Sequence, residues 1–134
     1  MKTIVKSLIY DDADNVLVLV RSNTHPSYAN EEDLPGGELE GSELPVESAL
    51  REIHEETGLL IEPSEAHEVV RKKVEPSTTH ILFRCKIHSL KPSIELSWEH
   101  KSYEWIKLNN NYVLQSKDDY ISTVNGWLIS NRST

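Results

Sequence analysis

The chain has 134 residues, a common size for one domain, so we expect a single domain over residues 1–134. Hydrophobic residues make up 37% of it and charged residues 27%, which excludes collagen-like and low-complexity chains. The net charge of −8 disfavours binding to duplex nucleic acid or to an anionic membrane. No segment reaches the ~18 consecutive apolar residues of a membrane span, and no signal-peptide core follows Met1, so a cytoplasmic protein is expected.

Short β-branched runs separated by turn residues predict strands. The first two runs, at 3–10 and 16–20, predict a hairpin. Residues 22–41 are polar and contain Gly36 and Gly37, so they predict a loop that ends in a tight turn. Further strands are predicted at 68–74, at 79–87 with the lone Cys85 as a small buried residue, at 103–108, and more weakly at 94–98.

Two segments show the helical period instead. Pro45 suits the first position of a helix, and Gly58 suits the residue that ends it, while Leu44 before it has no side-chain acceptor for a cap. Residues 116–119 resemble a capped start of a second helix. Strands on both sides of one helix, with another helix at the end, predict an α/β fold with a mixed sheet covered on both faces.

The first predicted helix carries three carboxylates on one face. Glu52, Glu55 and Glu56 lie within about 100° of arc because positions three and four apart are neighbours on a helix. Residues 31–58 hold ten carboxylates and only one Lys or Arg, Arg51, which cannot neutralise them all. A hard divalent cation such as Mg²⁺ or Mn²⁺ prefers such oxygen ligands. Taken alone, the three glutamates also fit a solvated acidic helix face.

The complete spacing of residues 37–59 decides between these interpretations. The segment matches G-x5-E-x7-R-E-U-x-E-E-x-G-U, where U is a bulky aliphatic residue. Seven fixed identities coincide by chance on the order of 10⁻⁸ per starting point. The matching residues are Gly37, Glu43, Arg51, Glu52, Ile53, Glu55, Glu56, Gly58 and Leu59.

This spacing resembles the signature box of the Nudix hydrolases. The preceding residues 34–37 are similar to the family's approach to the box, and residues 98–105 resemble a downstream segment that often supplies another acidic residue, here Glu99. The resemblance implies an α/β/α sandwich with a mixed central sheet. It also implies hydrolysis of a pyrophosphate bond in a nucleoside diphosphate linked to another moiety, by attack of water on phosphorus with Mg²⁺ or Mn²⁺ bound.

The resemblance also implies roles for individual residues. Glu52 and Glu99 are both candidates for the catalytic base, and Arg51 would orient the carboxylates. Glu43 would act behind the metal ligands, through a pairing near the start of the helix. The implied metal ligands are the Gly37 carbonyl, Glu52, Glu55, Glu56 and Glu99.

The remaining expectations concern substrate and partners. Arg21, at the end of the second strand, is a candidate for contact with a phosphate or base. In its length and in the position of Glu99, the chain is most similar to small nucleoside-triphosphate pyrophosphatases. A nucleotide-sugar or dinucleotide pyrophosphatase is an alternative. A Nudix-fold binding or regulatory module without turnover is the alternative from another class, and a prenyl-diphosphate isomerase ranks last. A monomer or homodimer is expected.

Overall fold

The computed structural model describes residues 1–74, 76–108 and 112–131. Its long strands and both helices follow the predicted order, and two short strands are added between the second strand and the first helix. A 3-10 turn at Pro63–Glu65 precedes the fifth strand. The elements are β1 (Lys2–Tyr10), β2 (Asn15–Arg21), β3 (Glu32–Asp33), β4 (Gly36–Glu38), α1 (Pro45–Thr57), β5 (Ala66–Val74), β6 (Thr78–Lys86), β7 (His100–Lys107) and α2 (Asp119–Ser130).

The strands that the structure describes form one mixed sheet. Its order is β3-β2-β1-β6-β5, with β4 paired to β1 and β7 paired to β2. β1 and β6 run parallel from Lys2↔Thr78 to Tyr10↔Lys86, and the other pairs are antiparallel. The predicted mixed sheet is confirmed, and Cys85 on β6 is buried.

Each face of the sheet is covered by one helix. Alternate residues of β1 point to opposite faces, so Val5 joins the core under α1 while Leu8 joins the core under α2. α1 contributes Ala49 and Ile53 to the first core, and α2 contributes Ile121 to the second. The α/β/α sandwich is therefore confirmed. Among the described residues, no helix is long and apolar enough to cross a membrane.

The hairpin of β1 and β2 opens soon after its turn. The two strands pair at Tyr10↔Val16, and then β4 takes the place beside β1, with Val5 opposite Gly37. The prediction of a loop throughout 22–41 is therefore wrong, because this segment contains β3 and β4. Its hydrogen bonds come from distant strands and have no periodic signal in the segment itself. Their effect is to lay the two glycines against the middle of the sheet.

Helix α1 begins and ends where the sequence predicts. Leu44 precedes it without a side-chain cap, and the carboxylate of Glu47 accepts a hydrogen bond from the Leu44 N–H at 2.7 Å. Gly58 adopts the left-handed conformation with φ +78° and ends the helix. The packing of Ala49 and Ile53 in the core then determines which side chains of α1 meet the sheet.

The weaker strand predicted at 94–98 is wrong, since no strand forms there. The Glu95 N–H instead donates to the carbonyl of Thr57 at 3.0 Å, so this segment binds the end of α1 rather than a strand. The capped start of α2 is confirmed. Asp118 is its N-cap, and its carboxylate accepts from the N–H of Tyr120 at 2.9 Å.

A buried ion cluster joins β1, β2, β3 and β7. At its centre, the carboxylate of Asp33 lies 2.7 Å from Lys6 Nζ, 3.1 Å from Arg21 Nε and 2.9 Å from His100 Nε2. Arg21 Nη2 also lies 2.7 Å from Asp118. The cations beside Asp33 hold the pKa of its carboxyl group well below the usual range, against the effect of burial. This cluster replaces hydrophobic packing at the edge of the α2 core.

The substitution Asp33→Asn should lower the free energy of unfolding by about 3–5 kcal/mol, because it leaves two buried cations without their shared anion. Urea unfolding at neutral pH measures the loss. Glu68→Gln is the control, since Glu68 pairs with Arg71 on the surface and such pairs contribute at most about 1 kcal/mol. Equal effects of the two substitutions would contradict this role of Asp33.

Candidate active site

Glu56 is the most deeply buried carboxylate of α1, with 2% of its surface exposed. Its Oε1 accepts a hydrogen bond from the backbone N–H of Gly36 at 3.2 Å. Gly36 has φ +148°, and a Cβ at this position would lie 2.2 Å from the carbonyl oxygen of Val5. Only glycine therefore allows β4 to approach β1 this closely and to direct its N–H at Glu56.

Glu52 lies one turn before Glu56, also facing inward, and is 8% exposed. Its Oε1 is 3.0 Å from the point that a Cβ of Gly37 would occupy. The absence of a side chain at Gly37 thus leaves the space that this carboxylate fills. Gly37 and Glu52, predicted together as ligands, are neighbours in the structure.

Arg51 holds three other carboxylates of the box from the outer side of α1. Its Nε and Nη2 donate to Glu43 at 3.1 and 2.8 Å, and its Nη1 donates to Glu52 at 3.0 Å and to Glu55 at 3.1 Å. The hydrogen bonds from Arg51 lower the pKa of Glu43 to about 2. One guanidinium thereby fixes Glu52 and Glu55 relative to each other.

The carboxylates of Glu52, Glu55 and Glu56 open onto one cleft of about 520 Å³. No Lys or Arg side chain lines it among the described residues. The cleft is lined by Gly36, Gly37, Glu38, Leu39, Glu40, Glu52, Glu55, Glu56 and Glu99. All five predicted metal ligands are therefore brought to the same cavity, although they come from β4, α1 and the segment before β7.

Among the described residues, no Lys or Arg side chain pairs with Glu56, and His100 Nδ1 lies 4.0 Å from its Oε1. Burial, together with the neighbouring carboxyl group of Glu52, raises the pKa of Glu56 to about 10. The cleft thus opposes the ionisation of Glu56. A divalent cation at this position would remove that opposition.

The donors in the cleft fit an oxygen-ligated ion such as Mg²⁺ or Mn²⁺. Within residues 1–74, 76–108 and 112–131, no three Asp, Glu, His or Cys side chains are grouped closely enough to hold a metal. The carboxylates nevertheless line one cleft together with Gly37, so the residues fit a divalent ion by their chemistry and by their position in that cleft.

Glu99 reaches the cleft from the segment before β7. Its backbone carbonyl accepts from the N–H of Ser22 at 2.8 Å, which ties this segment to the end of β2. Two nearby glutamates lie elsewhere: Glu95 packs against Gly58, and Glu104 lies on β7 and is exposed. Of these three glutamates, Glu99 is the one that lines the cleft.

Arg21 does not have the exposed guanidinium that a substrate contact at the end of β2 would offer. It is 2% exposed, and its Nη1 and Nη2 donate to Ser27 O, Asp33 and Asp118. Its hydrogen bonds link β2 to β3 and to the start of α2, and Arg21 also lines a cavity of about 580 Å³ that adjoins the acidic cleft. A role in substrate binding stays a prediction.

Sequence reasoning missed Asp33 and two of the residues that surround it, Lys6 and His100. Lys6 is the one signal in the sequence, since a cation within the apolar strand at 3–10 requires a buried partner. His100 gives no signal, because its partners are distant in the chain. Its Nε2 contacts Asp33, and its Nδ1 is buried 4.0 Å from Glu56 Oε1 without a hydrogen bond.

The sandwich and its acidic cleft define a class of hydrolases, and comparison with known proteins agrees. The family profile of the NUDIX domain matches residues 2–123. The chain therefore belongs to the Nudix family, and it is a hydrolase of phosphorus-containing acid anhydrides. No curated protein matches the chain.

Several solved structures are similar to the whole fold. A MutT protein from Methanosarcina mazei is 30% identical, with TM-score 0.66, over 79% of this chain and 76% of that one. MutT from Aliivibrio salmonicida and Vibrio cholerae has TM-score 0.76 at 14% identity and 98% coverage of both chains. A third structure is a bifunctional NMN adenylyltransferase/ADP ribose pyrophosphatase from Francisella tularensis, complexed with AMP and a Mn ion. It has TM-score 0.63 at 23% identity, over 82% of this chain and 35% of that one.

The substitution Gly37→Ala should weaken metal binding while leaving the fold intact. The added Cβ would lie 3.0 Å from Glu52 Oε1, so the carboxylate must move by a few tenths of an ångström. We expect an affinity for Mn²⁺ that is several-fold lower, measured by titration with electron paramagnetic resonance, because ligand geometry limits affinity. Gly36→Ala is the contrasting variant and should unfold the protein, because its Cβ would overlap Val5. Unchanged affinity in a folded Gly37→Ala protein would contradict this account of Glu52.

The substitution Glu56→Gln should stabilise the metal-free protein at alkaline pH. A raised pKa in the folded state favours the neutral carboxyl, so wild-type stability falls as pH rises from 4.5, the ordinary value, toward about 10. The amide of Gln stays neutral throughout. We expect similar melting temperatures near pH 5 and a higher one for the variant near pH 9, measured with a chelator. The same difference at both pH values would contradict the buried neutral carboxyl.

Proposed function

We propose that this protein hydrolyses a pyrophosphate bond in a nucleoside triphosphate or a related nucleotide, using Mg²⁺ or Mn²⁺. Glu52 and Glu56 are the principal metal ligands, with Glu55, Glu99 and the carbonyl of Gly37 as further ligands. Water attacks phosphorus, and either Glu52 or Glu99 takes its proton.

The observation that carries this proposal is the placement of the acidic residues in a cleft without Lys or Arg among the described residues. A polyphosphate is repelled by such a surface unless divalent cations lie between the two sets of oxygen atoms. The raised pKa of Glu56 likewise indicates that this carboxylate requires a nearby cation in order to be ionised. An acidic cleft of this kind is suited to a polyanionic substrate only in its metal-loaded form.

Residues of the chain have separate tasks in this reaction. A bound divalent ion neutralises charge on the bridge oxygens and increases the acidity of water. Glu56 is held by the Gly36 N–H, so its carboxylate has a defined position in the cleft. Arg51 limits the movement of Glu52 and Glu55. Glu99 has a partly exposed side chain, with His25 Nε2 at 3.9 Å from its Oε2, so it can accept a proton from water at the open side of the cleft.

A second cavity supplies room for the nucleoside. It has about 580 Å³ and shares Gly36, Gly37, Glu38 and Glu99 with the acidic cleft. A substrate can therefore place its phosphates beside α1 and its base and sugar in this adjoining space. The Francisella structure is a complex with AMP and a Mn ion, and this proposal likewise combines a nucleotide with a divalent metal ion.

Turnover with Mg²⁺ or Mn²⁺ tests the proposal on nucleoside triphosphates, nucleotide sugars and dinucleoside polyphosphates, with both products identified. Glu52→Gln should lower turnover by roughly 10²–10⁴, because it removes a ligand or the base without disturbing the helix. Glu62→Gln, an exposed glutamate outside the cleft, should retain wild-type turnover.

The products and the binding data separate the alternatives. Nucleoside monophosphate and pyrophosphate from a triphosphate support the proposal, and a sugar phosphate or a second nucleotide indicates one of the other pyrophosphatases. Metal-dependent nucleotide binding without any product indicates a regulatory module. A melting temperature that does not rise with millimolar Mg²⁺ or Mn²⁺ would refute the metal site.

A further inference from the structure

His100 lies between two buried carboxylates that belong to different parts of the molecule. Its Nε2 is 2.9 Å from Asp33 Oδ2, and its Nδ1 is 4.0 Å from Glu56 Oε1. The side chains of all three residues are at most 2% exposed. The imidazole is thus the link between the ion cluster and the acidic cleft.

The bond to Asp33 determines how the ring is oriented. Asp33 is paired with Lys6 and Arg21, which keep it ionised, and an ionised carboxylate only accepts hydrogen bonds. Nε2 of His100 is therefore the donor in this contact. The other nitrogen of the ring is then directed at Glu56.

Charge balance does not require His100. Lys6 and Arg21 are already matched by Asp33 and Asp118 within the cluster. Meanwhile, Nδ1 of His100 is buried and has no hydrogen-bond partner. Buried nitrogen atoms of this kind are seldom left unpaired, so the orientation of Nδ1 toward a carboxyl oxygen calls for an explanation.

We propose that His100 is a positioning residue that holds Glu56 in place for metal binding, and that Asp33 holds His100. The inference rests on the metal site proposed above. A movement of about 1 Å brings Nδ1 within hydrogen-bond distance of Glu56 Oε1, whichever of the two atoms carries the shared proton. Glu56 is then held from two sides, by the Gly36 N–H and by the imidazole.

Glu56 is then a metal ligand whose orientation is fixed by two hydrogen bonds. Carboxylates that bind metals are themselves oriented by hydrogen bonds, and loss of such a partner typically lowers metal affinity by about 10–100-fold. His100 acts through Glu56 and does not reach the metal itself. Its effect is therefore measured by the binding of Mn²⁺ alone, without substrate.

Two substitutions separate the two nitrogens of the ring. Gln at position 100 can place its amide near Nε2, and Asn can place its amide near Nδ1. His100→Gln should keep the bond to Asp33 and a melting temperature close to wild type, but it should lower Mn²⁺ affinity by about 10–100-fold. His100→Asn should keep Mn²⁺ affinity within about threefold of wild type and melt at a lower temperature.

Binding of Mn²⁺ is measured by electron paramagnetic resonance, and stability by melting in a chelator. Wild-type affinity in His100→Gln overturns the inference. If His100→Gln does not fold, the Asn variant decides: lost affinity in a folded His100→Asn protein also overturns it. His80→Gln is the matched control, because His80 is equally buried and its Nδ1 pairs with Thr123. An equal loss of affinity in that control would show a general effect and overturn the inference.

A double variant, His100→Gln with Glu56→Gln, tests whether His100 acts on Mn²⁺ affinity through Glu56. In that background, His100→Gln should cause no further loss of Mn²⁺ affinity, and a further full loss overturns the inference. Failure of the proposed function is distinct, because wild-type protein would then bind no Mn²⁺, and both proposals fall. Weaker binding in Glu56→Gln with unchanged binding in His100→Gln overturns only the role of His100.

Discussion

A carboxylate removed from water must be neutralised by a cation or by a proton, and this constraint shapes the interior of the protein. Asp33 and Glu56 are both almost fully buried, yet they meet the constraint in opposite ways. Asp33 is matched by Lys6 and Arg21, so its pKa is lowered. Burial and the neighbouring carboxyl group of Glu52 raise the pKa of Glu56. The first carboxylate is thus ionised through its ion pairs, whereas burial favours the neutral form of the second.

The cleft exists because two glycines allow backbone and carboxylates to come together. β1 and β2 separate after their turn, and β4 enters the space beside β1. Gly36 makes the close approach to Val5 and donates to Glu56, while Gly37 leaves the space for Glu52. Glu52 and Glu56 therefore lie against peptide groups, while Glu55 stays exposed. Burial of these two carboxylates distinguishes α1 from an ordinary solvated acidic helix face.

Much of the site was predictable because its residues lie on one helix. The helical period places Glu52, Glu55 and Glu56 on one face, and Pro45 and Gly58 mark the ends of α1. The predictions failed where long-range pairing decides the structure. Residues 22–41 look like a loop, although β3 and β4 form there through hydrogen bonds to β1 and β2. The ion pairs of Arg21 with Asp33 and Asp118 also have no local signal in the sequence, because these partners are distant in the chain.

The sequence by itself determined the family, the α/β/α class and the identity of the carboxylates in the box, because spacing within one helix is a local property. Tertiary structure alone decided how those carboxylates are charged. Only the folded chain brings Gly36 to Glu56 and places His100 between Glu56 and Asp33. The physical reason is that burial and the pairing of charges depend on contacts between residues far apart in the chain, and no local pattern records them.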